Sequence, residues 1–263
     1  MITTVLFDLD GTLLPMDLDL FLEHYFKLLC KKLAVHGYDP IKLTKGIQEG
    51  VIAMVSNNGS KTNENVFWDA FCREVGHNAK EDIHLFQDFY ENEFSGTRAA
   101  CGFDPKAAEA VAAIKAKGLR VVLATNPLYP AIATQNRIRW AGFQPEDFEL
   151  YTTYEDTYHC KPNPAYYQDI LDKLDLKAEE CLMVGNDAIE DMAAAKIGIK
   201  VFLLPKYLIN RNKLDLSDCP QGDFEDLLNY IDTLQKNGLT IGQSILFIRV
   251  PACRPLHQSR WPD

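Results

Sequence analysis

The sequence predicts an α/β protein: a Rossmann-like, doubly wound parallel sheet, interrupted after its first strand by a helical subdomain. Three observations predict it. Short apolar runs are nearly continuous in hydrophobicity rather than alternating, as in strands buried on both faces. Helical segments with recognisable starts and stops lie between them. One interval of roughly 85 residues, far beyond a normal connection, carries helical patterns and no convincing strand.

The runs are TTVLFDL (3–9), RVVLAT (120–125), FELYTT (148–153), CLMVGN (181–186) and IKVFLL (199–204). Helices are expected over 104–118, 128–142, 163–176 and 188–198. The first of these has Asp104 at the N-cap, Pro105 at the first helical position and Gly118 as its stop. Strand–helix alternation of this kind implies parallel pairing with right-handed crossovers. In the long interval, helices are expected over 18–37, 41–57, 65–76 and 81–94, with breaks at Gly37–Pro40, Asn57–Ser60 and Gly76–Asn78. Phe67, Trp68 and Phe71 are spaced as a buried helical stripe. The expected division is therefore a core of residues 1–14 and 100–240, a helical insertion over 15–99, and a tail over 241–263 with no assigned role. A final amphipathic helix is expected over 223–238.

The bulk numbers agree with one main domain plus an insertion. The chain has 263 residues, 47% hydrophobic and 24% charged, enough to bury a sizeable core. A formal charge of −10 argues against a nucleic-acid or anionic-membrane partner. Seven scattered cysteines without a CxxC pair point to reduced thiols rather than a disulfide framework or a zinc site. The N-terminus MITTVLFDLDG lacks the basic region of a secretory signal, and no apolar run approaches the roughly 18 residues of a spanning helix. A soluble, cytoplasmic protein is expected; its oligomeric state is left open.

Ligands of an open parallel sheet bind outside the carboxyl ends of its strands. Asp8 and Asp10 follow the first run, Thr125 and Asn126 end the second, Lys161 lies beyond the third, and Asn186 and Asp187 end the fourth. Singly, each has a bland reading. Asp-Gly is a turn signal, Thr125-Asn126 could turn the chain, Lys161 could be a solvated loop lysine, and Asn186-Asp187 could cap a helix whose first turn holds Glu190 and Asp191. Coincidence of all four at one sheet edge is harder to obtain from turn preference. Clustered carboxylates repel unless a cation lies between them, and oxygen ligands without histidine suit Mg²⁺. A carboxylate held there could attack a phosphoester, a second could move protons, and a lysine and a threonine hydroxyl could meet phosphoryl oxygens.

These residues resemble the haloacid dehalogenase superfamily. Its DxDGT motif is matched by DLDGT, Asp8 to Thr12; its Ser/Thr motif by Thr125 in VVLATN; its lysine by Lys161 in CKPNPAYY; and its acidic signature is approached by GNDAIED, residues 185–191. DxDGT alone is a modest signal, whereas four motifs in order are a specific one. The resemblance implies Asp8 as nucleophile and metal ligand, with Asp10 as general acid/base that lends its main-chain carbonyl to Mg²⁺. It implies phosphate contacts from Thr125 and Lys161, joined by their neighbours Gly11, Thr12 and Asn126. It also implies that the helical insertion is a cap that closes over the site and sets substrate choice.

The acidic signature departs from the pattern. Counted from Gly185 the first acidic place is Asn186, whereas Asp187 and Asp191 give the DxxxD spacing. Asp187 is preferred as metal ligand or water-mediated partner, Asn186 is the alternative through its amide oxygen, and Asp191 is expected to orient Lys161. The expected activity is Mg²⁺-dependent hydrolysis of a small phosphorylated metabolite. A phosphomutase of the same architecture and a non-catalytic binding protein remain as alternatives.

Overall fold

A computed structural model describes residues 1–240, with side chains described to residue 236; the tail over 241–263 lies outside the described residues. Four short strands form one parallel sheet: β1 (Thr4–Phe7), β2 (Arg120–Leu123), β3 (Cys181–Gly185) and β4 (Lys200–Leu203), in the order β2-β1-β3-β4. The α/β class is the one the apolar runs imply. Every β1 side chain is buried, which explains why the run shows no polar alternation. Val5 and Phe7 join a large hydrophobic cluster on one face, and Leu6 joins a second cluster on the other.

The first face is covered by α5 (Pro105–Ala116) and α8 (Phe224–Thr240) through Val111, Ile114, Leu227 and Ile231. The second is covered by α7 (Pro164–Leu174) through Tyr166, Tyr167, Ile170 and Leu171. Helix starts follow capping chemistry. The Asp104 carboxylate accepts from the Lys106 N–H at 3.1 Å, and the Asn163 amide oxygen accepts from the Ala165 N–H at 3.0 Å.

Between β1 and β2 stand α1 (Leu18–Ala34), α2 (Pro40–Val55), α3 (Asn63–Val75) and α4 (Ile83–Asn92), followed by a 3₁₀ segment, Phe94–Ala100. Phe67, Trp68 and Phe71 are buried on one side of α3, and the Phe67 and Phe71 rings stack 5.7 Å apart. The buried residues of these helices, among them Phe21, Tyr25, Leu29 and Phe89, belong to the same continuous cluster as Val5 and Phe7.

Two elements differ from expectation. FELYTT runs beside β2 but makes only an isolated bridge, Leu123 with Tyr151. The Glu149 N–H donates to Val121 O and the Thr152 N–H to Leu123 O, so this segment advances three residues while β2 advances two. The extra residue is a bulge that breaks the ladder. Residues 188–198 are not an α-helix but contain a 3₁₀ segment, Met192–Ile197. Its approach is held by side chains instead: Asp187 accepts from the N–H groups of Ile189 and Glu190, and Asp191 from those of Asn186 and Asp187.

The described cysteines, Cys30, Cys72, Cys101, Cys160, Cys181 and Cys219, are free thiols. Among the described residues no helix is long and apolar enough to cross a membrane.

Candidate active site

Sheet register assembles the site. Phe7 lies opposite Leu123 on one side and Val184 on the other. The next residues therefore leave the sheet together. The Asp8 N–H donates to Val184 O at 2.9 Å, and the Ala124 N–H donates to Phe7 O at 2.7 Å. Because β1 has β2 on one flank and β3 on the other, a crevice opens at its carboxyl end, where the strand order switches. Asp8, Thr125 and Asn186 all emerge there.

Lys161 is the centre of this crevice. It is fully buried, and its Nζ donates to Asp8 Oδ1 at 2.9 Å and to Asp191 Oδ1 at 2.7 Å. Burial pulls the ammonium toward its neutral form, but Asp191 and Asp8 outweigh it and hold the pKa well above the ordinary lysine value. The second oxygen of Asp191 accepts the Asn186 N–H at 2.9 Å and the Asp187 N–H at 2.8 Å. The expected pairing of Asp191 with Lys161 is thus present in the geometry. A β-carbon at position 185 would lie 2.0 Å from Asp191 Oδ2, so only glycine leaves room for this carboxylate. Gly185→Ala is expected to displace Asp191 and to destabilise the fold by about 1–3 kcal/mol, read as a lower urea midpoint.

Asp8 is held from a second side. The Thr12 hydroxyl reaches Asp8 Oδ2 at 3.3 Å and Asn186 Oδ1 at 3.1 Å. Burial pushes the Asp8 carboxyl up to about 7, Lys161 opposing and Asp191 and Asp10 adding to the rise. Gly11 adopts φ of 81°, and a β-carbon there would lie 2.2 Å from Asn186 Nδ2. The turn therefore brings the DLDGT backbone against Asn186 as only glycine permits. The Gly11 N–H donates to Leu14 O and the Thr12 N–H to Leu9 O, so these two groups close the turn rather than face the crevice.

Asn186 and Asp187 separate clearly. The Asn186 Nδ2 donates to Tyr207 O at 2.7 Å, which aims its Oδ1 at Thr12. Asp187 Oδ1 accepts from Ile189 and Glu190 at 2.7 and 2.8 Å. Burial raises the Asp187 pKa against those two bonds. Glu190, beside it, is pushed by burial to about 8. Thr125 is buried, and its carbonyl accepts from the Tyr166 hydroxyl at 2.8 Å and from the Thr152 hydroxyl. Asn126 Nδ2 donates to Lys161 O at 3.5 Å, tying the ends of β2 and the lysine loop together.

One site residue escaped the sequence reading. Arg137, on α6 (Ala131–Trp140), is 1% exposed, and its Nη1 donates to Asp10 Oδ2. Its only signal is position. Arg137 lies one turn from Ala133 on α6 and one turn from Ala141, the residue that follows the helix, and both alanines are buried. Burial raises the Asp10 carboxyl above its ordinary value, with Arg137 and Lys161 pulling the other way.

The donors suit a hard cation. Thr12's single hydroxyl contacts both Asp8 Oδ2 and Asn186 Oδ1, so the two oxygens face one small space. Among the described residues no three His, Cys, Asp or Glu side chains form a metal-holding group, so amide or main-chain oxygen must complete any set.

The order of motifs and this geometry meet in one family, whose pattern the sequence matches over residues 2–198: haloacid dehalogenase-like hydrolase. The chain belongs to the haloacid dehalogenase-like hydrolases. Among curated proteins it is similar to the pyrophosphatase PpaX of Bacillus thuringiensis (strain Al Hakam), 25% identical over 205 residues, which cover 76% of this chain and 81% of the relative. Among solved structures it is similar to a 2-haloacid dehalogenase from Pseudomonas syringae pv. tomato DC3000, with TM-score 0.59 and 18% identity over 89% of this chain and 100% of that one. A HAD phosphatase from Thermococcus onnurineus superposes with TM-score 0.54 and 16% identity, covering 88% of this chain and 98% of the other. These structural likenesses bear on the fold. In this haloacid dehalogenase-like hydrolase, Asp8, Thr125 and Asn186 follow the ends of β1, β2 and β3, and Lys161 reaches Asp8 from the loop before α7.

Proposed function

We propose that this hydrolase is a Mg²⁺-dependent phosphatase that removes phosphate from a small phosphorylated metabolite through an aspartyl-phosphate on Asp8. The observation that carries this reading is the double hold on Asp8. Lys161 fixes one oxygen and the Thr12 hydroxyl meets the other, with Asp10 two residues further along the turn. A carboxylate so restrained is oriented for attack rather than free to rotate.

In the proposed sequence the Asp8 carboxylate forms a bond to phosphorus as the bond from phosphorus to the leaving oxygen breaks. Asp10 gives the leaving oxygen its proton. Asp10 then takes a proton from water as that water attacks phosphorus, which frees Asp8 and releases phosphate. Lys161 and the Thr125 hydroxyl are assigned to the phosphoryl oxygens, where charge accumulates. Asp8, the Asp10 carbonyl and Asn186 would hold Mg²⁺, with Asp187 as a water-mediated partner. When bound, the cation supplies charge compensation to Asp8 and the phosphoryl group. The helical insertion is assigned the role of a cap.

An open surface depression lies between Asp17–Asp19, at the start of α1, and the loop Leu208–Arg211. The same loop is tied to the site, because the Ile209 N–H donates to Asn186 O and the Ala188 N–H to Ile209 O. The similarity to a protein named as a pyrophosphatase agrees with phosphoester or phosphoanhydride chemistry.

The test is phosphate release from a panel of sugar phosphates, nucleotides, phosphoglycolate, pyrophosphate and p-nitrophenyl phosphate. With Mg²⁺ at least one substrate is expected to turn over. Chelation should lower the rate by more than about 10²-fold, and added Mg²⁺ should restore it. No release across the panel overturns the reading, and isomer interconversion without release would instead establish the mutase.

A further inference from the structure

Arg137 is a fully buried cation that the proposed reaction has not yet used. Its stem is fixed by its own helix: Nε donates to Ala133 O at 3.4 Å and Nη2 to Thr134 Oγ1 at 3.3 Å. Its guanidinium lies over the Tyr129 ring at 4.4 Å from the centroid. Beyond these, its Nη1 reaches the side chain of Asp10, 127 residues earlier in the chain. Asp10 therefore has two unlike oxygens. Oδ2 is anchored by Arg137, while Oδ1 is buried and has no hydrogen-bond partner among the described residues.

A buried carboxylate oxygen without a partner is costly, and it is retained where it has work with a ligand. A buried arginine is costly too, and a well-packed apolar residue in the same helix row would serve stability as well. The two features explain each other. Clamping one oxygen restrains rotation about the last torsion of Asp10 and leaves the other without a protein partner among the described residues.

We infer that Arg137 is a positioning residue for Asp10: its Nη1 bond to Oδ2 holds Oδ1 where it exchanges a proton with the leaving oxygen. The inference rests on the phosphatase reading, and it assigns no contact between Arg137 and substrate. Tyr129 is the shelf that keeps the guanidinium level. That ring also meets Tyr25 of α1 at 5.9 Å, so the helical insertion supports the clamp from behind.

The experiment compares wild type, R137K and R137Q on phosphomonoesters of graded leaving groups, from 2,4-dinitrophenyl phosphate to an alkyl phosphate, with Mg²⁺ present. A leaving group that departs as a stable anion needs no proton, whereas an alkoxide does. Both variants are expected to lose about 10²-fold or more in kcat/KM on the alkyl ester and less than about fivefold on the dinitrophenyl ester. Equal losses along the series, or none, overturn the inference. Should R137Q fail to fold, the same split is required of R137K, which keeps the charge but not the planar fork. A wild-type enzyme inactive on both ends of the series would instead sink the phosphatase reading.

Discussion

Asp8→Asn is expected to lower phosphate release by at least about 10⁴-fold while leaving the protein folded. The amide keeps the shape of the side chain and can accept from Thr12, but it cannot form the proposed phosphoester. Lys161 keeps Asp191 as its partner at 2.7 Å, so the buried ammonium is not stranded. Residual turnover within about tenfold of wild type would mean that the chemistry does not pass through Asp8.

The same variant carries a stability prediction with a definite sign. Burial holds the Asp8 carboxyl at about 7, against an ordinary value of 3.8. Between those values the folded protein keeps a proton that the unfolded chain has lost, so folding costs more as pH rises through the window. Asparagine has no such term. In metal-free buffer, Asp8→Asn should therefore gain stability relative to wild type as pH is raised from about 4.5 to about 7.5. Urea midpoints at the two ends measure it, and a difference independent of pH would show that Asp8 ionises as an exposed aspartate does.

Much of this was legible because burial and pattern coincide. The four runs that became strands are buried on both faces, so their unbroken hydrophobicity reports the sheet directly. FELYTT has the same composition, yet a bulge opposite β2 interrupts its ladder, and no composition reveals a bulge. Asp8, Lys161 and Asp191 were readable from motif order, and the structure joins them in one chain of ion pairs. Counting residues could not separate Asn186 from Asp187. That distinction depends on Tyr207, after β4, whose carbonyl orients the Asn186 amide. Arg137 was invisible for a different reason: an arginine in a helix is ordinarily a solvated charge, and only the fold shows that its row faces inward.

Lys161→Met is expected to fail in both stability and catalysis, and the two losses should separate. Removing the ammonium leaves Asp8 and Asp191 as neighbouring buried carboxylates, with side-chain exposures of 11% and 1%. Stranding buried charge costs about 3–5 kcal/mol, which a lowered urea midpoint near neutral pH would show. The deficit should shrink as pH falls, because the stranded carboxylates take up protons in the folded state before they do so in the unfolded chain. An unfolding free energy within about 1 kcal/mol of wild type would mean that the ion pairs are not formed as described. Phosphate release should drop by about 10²–10³-fold, since the cation assigned to the phosphoryl oxygens is gone. Adding Asp191→Asn to Lys161→Met removes one of the two stranded charges and should recover part of the lost stability. It restores no cation, so turnover should stay at the level of Lys161→Met alone. Recovery of both together would make Lys161 a purely structural counter-ion.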